Sequence, residues 1–141
     1  SDWQEWAIKA IQHSYGFELQ GDNLLIAREN VLFTFADYYI DYTGTRPSAN
    51  LLKDIAEIIS WNLWQMDGLK FVVPFSFYDI IIDQNPQLFS EETINIVTKP
   101  CPGCSKKDNS LHNGKYCQVK DWRNNIVDSF LNITLHRYGR N

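Results

Sequence analysis

Apolar residues at Trp3, Trp6, Ala7, Ala10 and Ile11 recur at helical spacing behind Asp2-Trp3-Gln4-Glu5, which has the form of an N-terminal capping box. They predict an opening helix, and Gly16 is placed to end it in the left-handed conformation. Tyr15-Gly16-Phe17-Glu18-Leu19 is too short for a helix and alternates, which predicts a buried strand. Gly21-Asp22 opens a second helix with Asp22 as N-cap. Leu24, Ala27, Val31, Phe35 and Tyr38 share one of its faces, and Gly44 stops it after Tyr42. Pro47 and Ser48 mark a new start, and Leu52, Ile55, Ala56 and Ile59 line a third helix ending near Ser60. Asn62 to Met66 reads as a second strand, with Asp67-Gly68 as the turn after it. Phe71-Val72-Val73 and Tyr78 to Ile82 are further strand candidates, and Asn85-Pro86 breaks the pattern. Tyr116 to Lys120 reads as a strand, and Trp122 to Leu135 as a strand followed by a helix.

Helices alternating with short apolar strands predict an α/β unit with a parallel sheet. The 141 residues suit one domain, and 44% hydrophobic against 21% charged residues is a globular balance. The longest apolar region, residues 71–82, is broken by Pro74, Ser76 and Asp79 and falls short of the ~20 residues of a membrane span. No basic start leads into an apolar run, so no secretory signal is visible and a cytoplasmic protein without membrane attachment is expected.

The net charge of -4 conceals a split. Residues 1–98 carry 5 basic and 14 acidic side chains, whereas residues 99–123 carry 6 basic and 2 acidic ones. All three cysteines lie in the basic segment, and an odd, clustered set favours a metal site over a disulfide framework. Cys101-Pro102-Gly103-Cys104, then His112 and Cys117, offer three thiolates and an imidazole, a set that suits tetrahedral zinc. Pro and Gly favour a tight turn aiming both sulfurs at one point, while Lys106, Lys107 and Lys115 favour the thiolates. The competing reading is a loop of free thiols with a surface His112. A thioredoxin-like role fits less well, because residues 105–109 do not look like the helix such a motif opens. The basic loop can touch DNA phosphates, or simply be solvated. Tyr116 and Trp122 can stack on bases, or anchor the loop to the core.

In open α/β sheets, ligands sit beyond the carboxyl ends of the strands. Glu18 and Asp67 lie there. A nucleoside site wants a carboxylate for the ribose hydroxyls and an acceptor for the adenine amino group. The plain alternative is a turn residue and a surface acid. In a dinucleotide-type unit the ribose acid follows a glycine-rich turn by about 20 residues. That count leads to Ser1, and none of the seven glycines forms such a loop, so a segment of a longer protein is expected.

Tyr15-Gly16-Phe17-Glu18-Leu19, Asp22-Asn23, Ala27-Arg28-Glu29-Asn30 and the run Ile58 to Leu69 resemble the N6-adenine DNA methyltransferases of bacterial restriction–modification systems. The Cys101 to Trp122 segment is similar to a cysteine-bearing insert in some of their modification subunits, so the resemblance covers most of residues 3–122. It implies a partial Rossmann-like sheet with flanking helices over residues 1–98, a zinc-stapled β-rich insert over 99–123, and a C-terminal strand and helix over 124–141. It also implies S-adenosylmethionine as cofactor, with Glu18 on its ribose and Asp67 on its adenine amino group. The implied partners are DNA and the remainder of the methyltransferase or a specificity subunit. The family's Asp-Pro-x-x-Gly-x-Gly loop and intact Asn-Pro-Pro-Tyr/Phe motif are absent. Asn85-Pro86-Gln87-Leu88 is the nearest counterpart, with Asn85 the candidate catalytic residue, although Leu88 cannot stack on a flipped base. The isolated chain is therefore expected to be catalytically silent, with an exposed sheet edge through which it can dimerise. Two other classes stay open. One is a non-enzymatic zinc-stapled module that binds DNA or a protein. The other is a restriction-nuclease fragment in which Asp79 or Asp83 joins Gln118-Val119-Lys120 in a metal site.

Overall fold

The computed structural model describes residues 2–76, 78–82, 94–98 and 100–138. Helix α1 (Asp2–Gln12) turns Trp3, Ala7, Ile8 and Ile11 toward a core built on Phe35 of α2 (Gly21–Thr43) and Ile55, Ile58 and Ile59 of α3 (Ala49–Asn62). Trp3 stacks on Tyr42 at 5.4 Å, whereas Trp6, expected on the same face, is exposed and lies under the Lys9 ammonium. The Glu5 carboxylate, expected to reach back to Asp2, pairs with Lys9 at 2.7 Å.

Gly16 does not cap α1. It opens strand β1 (Gly16–Glu18), where a Cβ would come within 2.8 Å of Leu63 Cδ2. The residue is small because two strands approach closely, not because a turn needs positive φ. Gln20 occupies the N-cap position of helix α2 without a side-chain capping bond, and Asp22 lies inside the first turn, where a carboxylate still favours the positive end of the helix dipole. It ends as expected at Gly44, whose φ of 71° lets its N–H reach the Ile40 carbonyl. Ser48 caps α3 by accepting from the Leu51 N–H at 3.2 Å.

Helix α3 outruns its expected end near Ser60 because Asn62 is held from both sides. Its Nδ2 donates to the Ile11 carbonyl, and its Oδ1 accepts from Trp122 Nε1, each at 2.7 Å. Strand β2 (Leu63–Gln65) follows at once and pairs parallel with β1, Gly16 opposite Leu63 and Glu18 opposite Gln65.

The expected strand at Phe71-Val72-Val73 shrinks to isolated bridges from Val72 to Asp67 and Tyr116. Phe71 and Phe75 adopt φ values of 61° and 62°, which no extended strand accommodates. Strands β3 (Tyr78–Ile82) and β4 (Ile94–Thr98) pair antiparallel. A short helix, α4 (Pro102–Lys106), precedes a 3₁₀ turn (Asn109–Leu111). A second antiparallel pair, β5 (Gln118–Asp121) and β6 (Ile126–Ser129), leads into α5 (Phe130–Tyr138). The described residues thus form a mixed helical fold with three separate two-stranded sheets, rather than one continuous parallel sheet. Among them, no helix is long and apolar enough to cross a membrane.

The cysteine region is fastened to the turn after β2. The Val73 N–H donates to the Lys115 carbonyl at 2.8 Å, and the Cys117 N–H to the Phe71 carbonyl at 2.9 Å. Phe130 packs edge-on between Phe17 and Phe71, locking the start of α5 against β1 and the same turn.

Candidate functional site

Two features converge near the end of β2: the Cys/His loop and the strand-end acids. In the loop, Cys101 occupies the N-cap position of α4 and Pro102 starts the helix, so the chain turns sharply toward Cys104. Asp108 then caps the 3₁₀ turn through the Ser110 N–H at 2.9 Å, and that turn delivers His112. His112 Nδ1 lies 3.3 Å from Cys101 Sγ and 3.8 Å from Cys104 Sγ. All three donor atoms come within 4.8 Å of one another, a group that could hold a metal ion. Tetrahedral zinc at usual bond lengths separates sulfur from nitrogen by about 3.6 Å, between the two values found.

The surroundings hold the ring in place. Asn109 Oδ1 stands 3.2 Å from His112 Nε2, so a proton on Nε2 leaves the Nδ1 lone pair facing the sulfurs. The Tyr116 hydroxyl accepts from the His112 N–H and donates to the Asn109 carbonyl, at 3.0 and 2.7 Å. Tyr116 therefore anchors the loop. Gly103 is required by space, because a Cβ there would meet His112 Nδ1 at 2.5 Å. The Asn113 N–H at 3.4 Å, the Cys104 N–H and the imidazole pull the Cys101 thiol down to about 6. The Cys104 thiol is raised, first by its hydrogen bond with Cys101, and it also feels Lys70 and Asp67.

Cys117, the fourth expected ligand, stands apart from this group. It is 1% exposed, its Sγ donates to the Gln65 carbonyl at 3.4 Å, and burial pushes its thiol up to about 11. Its carbonyl also accepts from the Phe130 N–H at 2.8 Å, so it joins β2, the following turn and α5 as a core residue.

Glu18 ends β1, and its Oε1 accepts from the Gln20 N–H at 3.0 Å. The ladder continues one step past the strands, with the Met66 N–H on the Glu18 carbonyl at 3.0 Å. Asp67 follows directly, and its Oδ1 accepts from the N–H groups of Leu69 and Lys70 at 3.0 and 3.3 Å. The Lys70 ammonium lies 3.8 Å from its Oδ2. The two acids thus lie at the carboxyl ends of adjacent parallel strands, Glu18 as the last residue of β1 and Asp67 just past β2, and each is hydrogen-bonded to its own turn.

Asn85 and Asp83 lie outside the described residues, as does the side chain of Asp79. Lys120, the lysine of the nuclease pattern, sits over the Trp122 ring at 4.1 Å and the Trp61 ring at 5.7 Å. Trp122 is half-buried against the helical core, with the Lys120 ammonium over its ring. Asn109, Asn113 and Asn62 carry roles that sequence reasoning missed. Asn109, three residues before His112, was the one readable signal, since a loop amide near a ligand histidine commonly orients it. Comparison with protein-family models, curated proteins and solved structures finds no match for this chain.

Proposed function

We propose that the chain is part of an S-adenosylmethionine-dependent N6-adenine DNA methyltransferase of a restriction–modification system. In this reading β1 and β2 are neighbouring strands of a Rossmann-like sheet. Glu18 accepts from the ribose hydroxyls, and Asp67 accepts from the adenine amino group. The observation that carries it is the parallel, in-register pairing of β1 and β2, with Glu18 as the last residue of β1 and Asp67 just past the end of β2. The Cys101–Cys104–His112 group supports the accompanying zinc loop, whose lysines face DNA phosphates.

The test is cofactor binding by the protein that carries this chain. Losing charge-assisted hydrogen bonds to the ribose costs about 1.5–3 kcal/mol, so Glu18→Ala should weaken S-adenosylhomocysteine binding about tenfold or more. An unchanged dissociation constant removes Glu18 from the site. The Cys/His group also favours a second reading, a non-enzymatic zinc-stapled module that binds DNA or a protein. That module would take up one zinc per chain and show no cofactor affinity in any context.

A further inference from the structure

We propose that the metal centre is an open zinc site, held by Cys101, Cys104 and His112, whose fourth position takes an exchangeable oxygen donor rather than a ligand from the described residues. The inference rests on the zinc reading of the loop and changes its ligand set.

Three donors are already gathered within 4.8 Å of one another, with sulfur–nitrogen separations of 3.3 and 3.8 Å and the ring held by Asn109. Cys117 cannot supply the fourth corner without dismantling its surroundings. Its Sγ is committed to Gln65, its N–H to Phe71 and its carbonyl to Phe130. The Asp67 carboxylate is held by the N–H groups of its own turn. Among the described residues, no further His, Cys, Asp or Glu donor joins the group. Cys104 is exposed, and Cys101 and His112 are half-buried, so the remaining corner is open to solvent. Closed zinc sites carry four protein ligands, whereas a site with three keeps a position for water or another oxygen donor.

Charge sets the class of donor. Two thiolates neutralise Zn²⁺, and a neutral imidazole adds nothing, so the centre does not repel an anion. The loop contributes Lys106, Lys107 and Lys115. Water therefore fills the position at rest, and an anionic oxygen, such as that of phosphate, replaces it.

X-ray absorption of the zinc-loaded full chain should show two sulfur and two nitrogen or oxygen neighbours; three sulfurs overturn the open position while leaving a zinc site in place. Failure to bind zinc at all overturns the zinc reading beneath it. Cys101→Ser and His112→Ala should weaken zinc binding by about a hundredfold or more, whereas Cys117→Ala and Asp67→Ala should leave it within about twofold. A tenfold loss in either of the last two puts that side chain on the metal. If Cys117→Ala misfolds, the wild-type absorption result still decides. In the cobalt-substituted chain, inorganic phosphate should shift the visible absorption saturably, and an unmoved spectrum overturns the exchangeable ligand.

Discussion

Gly103 is the residue on which the Cys/His loop is most finely balanced. A methyl group there would collide with the His112 ring and with its backbone nitrogen, the latter at 2.7 Å. Gly103→Ala should therefore displace the imidazole and weaken zinc binding by about 10–100-fold in a competitive chelator titration, comparable to losing a ligand-orienting partner. Asn62 is the corresponding residue of the helical core. Asn62→Leu strands the Ile11 carbonyl and the Trp122 indole N–H, at a cost of about 2–4 kcal/mol, readable as a lower urea midpoint with an unchanged slope. At this scale donor chemistry and spacing in the sequence pointed to Cys101, Cys104 and His112, which the fold gathers into a group that could hold a metal ion, and also to Cys117, which stands outside that group. Four residues separate His112 from Cys117. That distance permits either ligation or burial, and the pairing of Cys117 with Phe71 decides for burial.

Elements were legible wherever a local rule governed them. Gly44 and Ser48 act as read, and Ser48→Ala should cost about 1 kcal/mol in a chemical denaturation curve. Gly16 misled because a glycine after a helix suggests a cap, whereas the demand on it comes from Leu63, 47 residues away. Strand β4 went unread beyond the Asn85-Pro86 break, although Ile94 and Ile96 stand at two-residue spacing around Asn95. The junction of β6 and α5 carries its own pH dependence. The Asn132 amide and the Ser129 N–H hold the Asp128 carboxyl below its ordinary 3.8. Because the folded value is the lower one, this contribution is complete above 3.8 and fades as pH falls through the folded value. A carboxyl titration followed by NMR should give Asp128 a midpoint under 3.8, and one at or above it contradicts the hydrogen-bonded junction.

For the whole molecule, the Cys/His loop and the helical core are joined through the turn after β2. Removing metal with a chelator should raise hydrogen exchange over residues 101–112, while residues 115–117, bonded to Val73 and Phe71, stay protected. Equal loosening of both stretches would mean that metal, not strand pairing, holds Cys117 in place. The α/β alternation was readable because each element carries its own period. The breadth of the sheet was not, since strand partners are set by residues distant in sequence. The parallel pair of β1 and β2 is the portion that local patterns could specify, with α2 and α3 forming the crossover.

The hydrogen bond from Trp122 to Asn62 spans 60 positions. As the chain leaves the ribosome, α1 and α3 emerge long before that indole, so Asn62 Oδ1 must wait, hydrated, for its partner. The three N-terminal helices can collapse early, but the seal on their core closes only after the cysteine loop has been synthesised and threaded back. A chain released before Trp122 would keep its core amide in contact with water, and such truncations should be the ones that cellular proteases remove fastest.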